Sequence, residues 1–372
     1  MQILDNIPAL VSNFNCHVDA DSLKIFGSGH INDTYFLKNL DTSDSDFLLQ
    51  RINHHVFKNV EKLTDNMCLV IEHLKDKIKK TNEGDPDKEV MTLIPCRNKK
   101  YYYKDEHGDY WRMCYFLKNT KSYDVVETEK QAYEGGKAFG KFQKMLSDLP
   151  AGLMYEVIPN FHNIEFRLAN LKTAVHNNLS GRAEHVKTEL QFINEHAGSM
   201  LYFQKPEQQK VLPRRVIHND TKFNNVLLDL NDEAQCVIDL DTVMDGYVAF
   251  DFGDAIRTII NTEAEDEEDL SKIKLNFHLF DAYTKGYLKE ANSFLTESEV
   301  NSLIMGVLLL PYMQAVRFLE DYINGDQYFK VKFDTHNLQR TRAQLQLFKM
   351  LNTHVEVLKS TIQNERKAYK KN

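Results

Sequence analysis

Hydrophobic periodicity along this chain of 372 residues changes once, near residues 117–124, and that change limits the folds open to it. Before it, short β-type runs at 23–26, 34–37, 47–52, 90–94, 100–103 and 110–116 surround one helical stretch, 60–77, whose apolar residues Val60, Leu63, Met67, Val70, Ile71 and Leu74 recur every three or four positions. Turns at Arg97-Asn98 and Glu106-His107-Gly108-Asp109 suit an antiparallel sheet that closes at about Leu117. Beyond it, helical spacing covers 130–146, 164–176 and 183–196, then resumes after a strand-rich island at 214–240. A final helix carries Leu345, Phe348, Leu351, Val355, Leu358 and Ile362 on one stripe. The expected fold is α+β, with an N-terminal domain of residues 1–118 and a C-terminal domain of residues 119–372.

Composition narrows the function classes. Apolar residues at 42%, with 22 Phe and 17 Tyr, exclude wholesale disorder. A net charge of −8 argues against binding along a phosphate backbone, so no nucleic-acid partner is expected. The five cysteines are scattered and never spaced C-x-x-C, which suggests neither a disulfide framework nor a zinc site and suits a reducing cytoplasm. The first residues, MQILDNIPALVSNF, lack a positive n-region and read as a short amphipathic helix. The uncharged run 300–316 contains Asn301, Ser302, Pro311 and Gln314 and reads as a buried core helix, so no membrane partner is expected. The acidic stretch 263–269 reads as a solvated loop and helix start. Oligomeric state is not legible.

The island RRVIHNDTKFNNVLLDLNDEAQCVIDLDT, residues 214–242, carries the chemistry. A β-run at Val216 and Ile217 delivers His218, and a polar loop follows. The runs 226–228 and 236–238 flank a turn at Asn231-Asp232-Glu233 and are expected to pair as a hairpin, returning Asp239 beside the loop. Three oxygen donors, Asp220, Asn225 and Asp239, then suit a hard cation such as Mg²⁺. Phosphoryl transfer needs such parts: Asp220 as the base, Asn225 and Asp239 as metal ligands, and Lys222 as a cation near the transferred group.

These residues carry a resemblance. His218-x-Asp220-x-Lys222-x-x-Asn225 resembles the catalytic loop of protein-kinase-like enzymes, and Asp239 follows Asn225 by 14 residues, where such enzymes place a metal-binding aspartate. Asp251-Phe252-Gly253 spells the protein-kinase metal motif, but it comes 26 residues after Asn225, too far for the hairpin connection. Asp251 and Asp254 are read instead as carboxylates that support the loop, and His218 as a buried scaffold histidine. The arrangement Ile238-Asp239 … Asp251-Phe252-Gly253-Asp254 looks like the aminoglycoside phosphotransferase and choline kinase superfamily, and no protein-kinase activation segment follows. The resemblance implies a bilobal protein-kinase-like fold: a small N-terminal lobe with an antiparallel sheet plus helix, and a larger, mainly helical C-terminal lobe. It also implies ATP and Mg²⁺ as cofactors and a small-molecule acceptor.

Residues 26–34, FGSGHINDT, sit between two strands as a phosphate-covering loop would, which makes Gly27, Ser28, Gly29 and His30 candidate nucleotide contacts. Arg51 falls where these enzymes keep the basic residue that holds the α- and β-phosphates, with Glu61, or Asp65 one turn later, as its expected ion-pair partner. Segments GSGHINDTY, LLQRIN, HNDTKFNNVLLD, VIDLDTVMDGYVAFDFGDAIR and RFLEDYINGDQYFK are most similar to the N-acetylhexosamine 1-kinase branch. That similarity implies a sugar acceptor, with Asp33, Arg317, Asp321, Tyr322 and Tyr328 as candidate contacts; a capped helix before an Asn324-Gly325 turn is the plainer reading of the last segment. Choline, aminoglycosides, and a non-catalytic pseudokinase scaffold are the competing readings.

Overall fold

Along Phe47–Ile52, Phe47 and Leu49 are buried while Leu48 and Gln50 are half-buried, the alternation that one covered sheet face imposes; it breaks at the end of the strand, where Arg51 is half-buried and Ile52 is buried on the other face. The computed structural model describes residues 7–27, 31–82 and 84–370. The chain forms two compact units: Met1–Ser122, Asp148–Pro159 and Val226–Met244 in one, and Tyr123–Ser147, Asn160–Asn225 and Asp245–Asn372 in the other.

The first unit is built on strands β1 (Val18–Ile25), β2 (Asp33–Asn39), β3 (Phe47–Ile52), β4 (Tyr103–Lys104) and β5 (Tyr110–Tyr115), ordered β1-β2-β3-β5-β4 and antiparallel throughout. Leu37, Phe47, Leu49, Trp111 and Met113 form its core with Ile7, Val11 and Phe14, so the short N-terminal helix Ile7–Val11 lies on the sheet. Helix Val60–Thr81 starts where the Asn59 side chain accepts the Lys62 N–H at 3.0 Å, and it stops at Asn82, whose φ of 54° is left-handed. The later hairpin joins Val226–Asp229 to Ala234–Val237, with Val226 opposite Val237, and Thr120–Lys121 extends it to three strands.

Two expectations for this unit change. Residues 90–94 form only single bridges, at Val90 and Leu93, so their apolar pattern reflects burial of an irregular segment. Pro95, which has no N–H to donate, ends that segment. The run at 100–103 contributes only Tyr103 and Lys104 to the sheet, because a turn at Lys99, with φ 68°, delays pairing.

The second unit is helical. Helix Glu297–Ile323 begins in a reciprocal capping box between Thr296 and Glu299. It is apolar and long enough to cross a membrane, yet most of it is buried inside this unit. Helices Val248–Ile259, His336–Thr353 and Ile164–Asn177 pack against it, while Glu129–Leu146 packs on Phe277–Ala291. Two spans differ from the periodicity. The helix expected at 183–196 is a short 3₁₀ turn, Arg182–His185, then Lys187–Met200, with Val186 at φ −125° between them. The stripe from Leu345 to Ile362 is divided between His336–Thr353 and Val355–Lys370, because His354, at φ −105° and ψ 14°, leaves helical geometry. Periodicity survives such a break, since both helices turn an apolar side inward.

Candidate active site

In the second unit, strand Arg215–Ile217 leads into His218, which is fully buried with its ring edge-on to Phe139 and Phe142 at 5.8 and 5.7 Å. The Asp220 N–H donates to His218 Nδ1 at 3.3 Å, so that nitrogen is an acceptor and the ring acts as scaffold. Beneath the loop, the buried Asp251 carboxylate accepts the N–H groups of His218 at 2.9 Å and Asn219 at 2.7 Å. Gln143 donates to the same carboxylate at 2.8 Å, and the Thr221 hydroxyl donates to the Asp251 carbonyl at 2.6 Å. Burial pushes the Asp251 carboxyl above its ordinary value, while the donors around it favour the ionised form. Asn219 has a φ of 67°, a left-handed conformation that Asn tolerates better than most residues.

This anchoring gathers three of the expected residues. Asn225 Nδ2 donates to the Asp220 carbonyl at 2.8 Å and to Asp220 Oδ2 at 3.3 Å, which leaves its amide oxygen as the face suited to a cation. Lys222 Nζ lies 3.4 Å from Asp220 Oδ2 and its side chain is more than a third exposed. Asp254, expected to support the loop, turns to Arg257 at 2.9 Å. His162 Nε2 meets the Asn219 carbonyl at 3.2 Å, while its Nδ1 is shut off from solvent without a partner. Loss of hydration lowers the His162 pKa to about 4, holding the ring neutral.

The acceptor candidates separate. The Arg317 guanidinium lies 5.4 Å from the Phe161 ring, 5.8 Å from Tyr328 and 5.4 Å from Phe329. Arg167 stands in the same group, pushed down to about 10 by burial and by the charge of Arg317. Asp321, by contrast, is buried and accepts the N–H groups of Gln327, Tyr328 and Phe329 at 2.8–2.9 Å, so it shapes the turn and does not face a ligand. Tyr322 is buried as well, with Arg182 stacked 4.6 Å from its ring. Tyr328 is exposed.

In the first unit, Asp239 follows the hairpin by two residues and takes a left-handed φ of 60° before the turn Leu240–Thr242. Arg51 pairs with Asp33, its Nε donating at 2.9 Å, and its Nη1 lies 3.5 Å from Asp109. The expected partners are elsewhere: Glu61 meets Lys100 and Asp65 meets Lys62. The β2–β3 register explains this, since Asp33 lies directly opposite Arg51 whereas the helix bearing Glu61 starts after an intervening turn. Asp33 is therefore the arginine's partner. Gly27 has φ 74°; Ser28, Gly29 and His30 lie outside the described residues.

Within the second unit, the Asn225 amide oxygen and the Asp220 carboxylate are donors of the kind a hard cation takes; among the described residues no group of three or more His, Cys, Asp or Glu is placed to hold a metal ion. Residues 90–286, more than half of the chain, match the phosphotransferase enzyme family, and that span contains Asp220, Asn225 and Asp239. The chain belongs to this phosphotransferase family. Its fold is similar to that of an aminoglycoside phosphotransferase from Alicyclobacillus acidocaldarius, at a TM-score of 0.62 and 10% identity over 96% of both chains. It is also similar to choline kinase from Cryptosporidium parvum, at 0.58 and 15% identity over 94% of this chain and 96% of that one. A third similar structure, an amicoumacin kinase in complex with AMP-PNP, Ca²⁺ and Ami, has a TM-score of 0.56 and 10% identity over 93% of both chains. The phosphotransferase thus has the α+β kinase-like fold, with an antiparallel sheet in its N-terminal part and helices dominating its C-terminal part.

Sequence reading missed Gln143, Thr221 and His162. Only the fold brings Gln143 to the Asp251 carboxylate and His162 to the Asn219 carbonyl, and Thr221, though inside the loop, gives no sign in the sequence of its bond to the Asp251 carbonyl.

Proposed function

We propose that this phosphotransferase moves the γ-phosphoryl group of ATP to a sugar hydroxyl, the anomeric hydroxyl of an N-acetylhexosamine. The observation that carries the reading is the loop 218–225, where Asp251 braces the main chain while Asp220, Lys222 and Asn225 gather at one place. Asp220 takes the acceptor's proton as its oxygen bonds to phosphorus and the bond to the departing ADP breaks. Lys222 offsets negative charge on the transferred group. Asn225 and Asp239 would hold Mg²⁺, which supplies charge neutralisation between the β- and γ-phosphates. Gly27, Ser28, Gly29, His30 and Arg51 are the nucleotide contacts in this reading.

Two features favour a sugar over the competing acceptors. Arg317 already lies against Phe161, Tyr328 and Phe329, so its charge would oppose a choline-type ammonium in contact with those rings. In the acidic stretch, Glu265 pairs with Arg257, Asp266 with His336 and Glu267 with Lys272, which reduces its attraction for an aminoglycoside. A planar guanidinium beside aromatic faces suits a polar, ring-shaped acceptor.

The test is incubation with ATP, Mg²⁺ and a panel of N-acetylhexosamines, neutral hexoses, choline and aminoglycosides, with the phosphate located on any product by NMR. A 1-phosphate of an N-acetylhexosamine is expected. Phosphocholine or a phosphorylated aminoglycoside as the main product would replace the sugar reading, and nucleotide binding without transfer to any acceptor would favour a pseudokinase.

A further inference from the structure

A buried ion pair in the sheet-containing unit stands two residues from Asp239. Arg112, on β5, and Asp241, in the turn Leu240–Thr242, have side chains 2% and 3% exposed. The contact is two-pronged: Arg112 Nη1 donates to Asp241 Oδ1, and Nη2 donates to Oδ2 at 2.9 Å. Asn32 Nδ2 adds a second donor to Oδ2 at 2.6 Å. The rest of the guanidinium is also engaged, Nε donating to Gln50 Oε1 at 2.8 Å and Nη1 lying 3.0 Å from Met67 Sδ.

Both oxygens of Asp241 are therefore occupied by cationic or amide donors, a setting that suits an ion-pair partner and not a metal ligand. The turn is held again just beyond, where Asn66 Nδ2 donates to the Val243 carbonyl at 3.0 Å. Asp239, at φ 60° and ψ 59°, enters this clamped turn in the left-handed conformation, which Asp adopts more readily than most residues. Burial works against the Arg112 charge, and Asp241, with Asp239 adding to it, more than offsets that penalty. Asn32 and Gln50 immediately precede Asp33 and Arg51, so one network ties the Arg51–Asp33 pair to the turn after Asp239.

We infer that Arg112 and Asp241 are positioning residues that set the Asp239 carboxylate for a divalent cation, and that Asp241 does not bind the cation itself. The inference rests on the proposed assignment of Asp239 as a metal ligand. It predicts that loss of the Arg112 fork weakens metal-dependent nucleotide binding while Asp241 keeps its charge. Direct ligation by Asp241 predicts the reverse, since freeing that carboxylate would leave metal affinity intact or raise it.

The experiment compares wild type, Arg112→Lys and the double variant Arg112→Met/Asp241→Leu by calorimetric titration with ATP, with and without Mg²⁺, alongside thermal melting and KM for ATP against kcat. The double variant replaces the buried pair with apolar groups of similar size, a change that buried pairs often tolerate, and it tests whether the pair matters at all; if Arg112→Lys does not fold, Arg112→Gln, which leaves the Asp241 carboxylate in place, separates positioning from ligation. Both variants are expected to lose about 10-fold or more of the Mg²⁺-dependent affinity, the scale on which supports of metal ligands act, while metal-free affinity stays near wild type. KM for ATP should rise more than kcat falls. Folded variants that titrate like wild type would overturn the inference and leave the proposed function standing. A wild type whose nucleotide affinity ignores Mg²⁺ would overturn both.

Discussion

Asp251 and Asn219 are joined by a 2.7 Å hydrogen bond from the Asn219 N–H to the Asp251 carboxylate, and the neighbouring His218 N–H reaches the other oxygen at 2.9 Å. One buried side chain thus satisfies two consecutive main-chain donors at the bend that presents Asp220. Replacing Asp251 with Ala would orphan both donors, an expected loss of about 2 kcal/mol or more. Asp251→Asn retains one acceptor oxygen and should fall between Ala and wild type. Chemical denaturation of the three proteins checks the order.

Asp220→Asn should lower kcat by about 10²-fold or more, the usual scale for removing a general base. The Asn225 contact to the Asp220 carbonyl does not involve the side chain, so the loop should persist and nucleotide affinity should be nearly unchanged. Steady-state kinetics and a nucleotide titration separate the two quantities, and unchanged turnover would refute the role.

Asp239→Ala should weaken nucleotide binding only when Mg²⁺ is present. Superimposable titrations of wild type and variant with the metal would remove Asp239 from the ligand set.

His162 gives the fold an acid-side sensitivity. Its pKa falls from 6.5 to about 4 on folding, so the unfolded chain binds more protons between those values and stability rises with pH across that window. Stability from this group is complete above 6.5 and is lost as the pH drops toward 4. The slope reaches at most ~1.4 kcal/mol per pH unit. Denaturation of wild type and His162→Gln across the window should show a shallower slope in the variant.

Gly306→Ala should destabilise the helical unit although Ala favours helices. A Cβ at residue 306 would lie 1.8 Å from the Ala249 carbonyl, and one at Gly253 would lie 2.2 Å from the Gly306 carbonyl. Helices Val248–Ile259 and Glu297–Ile323 therefore meet backbone to backbone, and the former carries Asp251. Overpacking here should cost at least ~2 kcal/mol, which exceeds the ~1 kcal/mol gained in helix propensity. A higher melting temperature for the variant would contradict this contact.

Much of the architecture was legible because its signals are local. Period-two runs marked β2, β3 and β5, helical spacing marked 60–77 and 130–146, and the turn at 231–233 marked the hairpin. The loop from His218 to Asn225 was equally readable, since its residues are close in sequence and bond to one another locally. What misled was the assumption that a charged residue on the next helix serves Arg51: the antiparallel register places Asp33 opposite it. Asp321 looked like a ligand contact because sequence cannot show that three main-chain N–H groups already point at its carboxylate.

Residue types and short spacings thus determined the class of elements, the loop that bears Asp220, and the oxygen-rich chemistry around it. Asp251 reads from the sequence as a support of that loop, and the structure gives the two N–H groups it holds, those of His218 and Asn219. Tertiary structure alone decided the other partners: Asp33 on Arg51 and Arg112 on Asp241, which lie 18 and 129 residues apart. The reason is physical. Periodicity records whether a side chain faces water or core, whereas a buried charge survives only beside a specific opposite charge or donor, and chain distance carries no mark of which one that is.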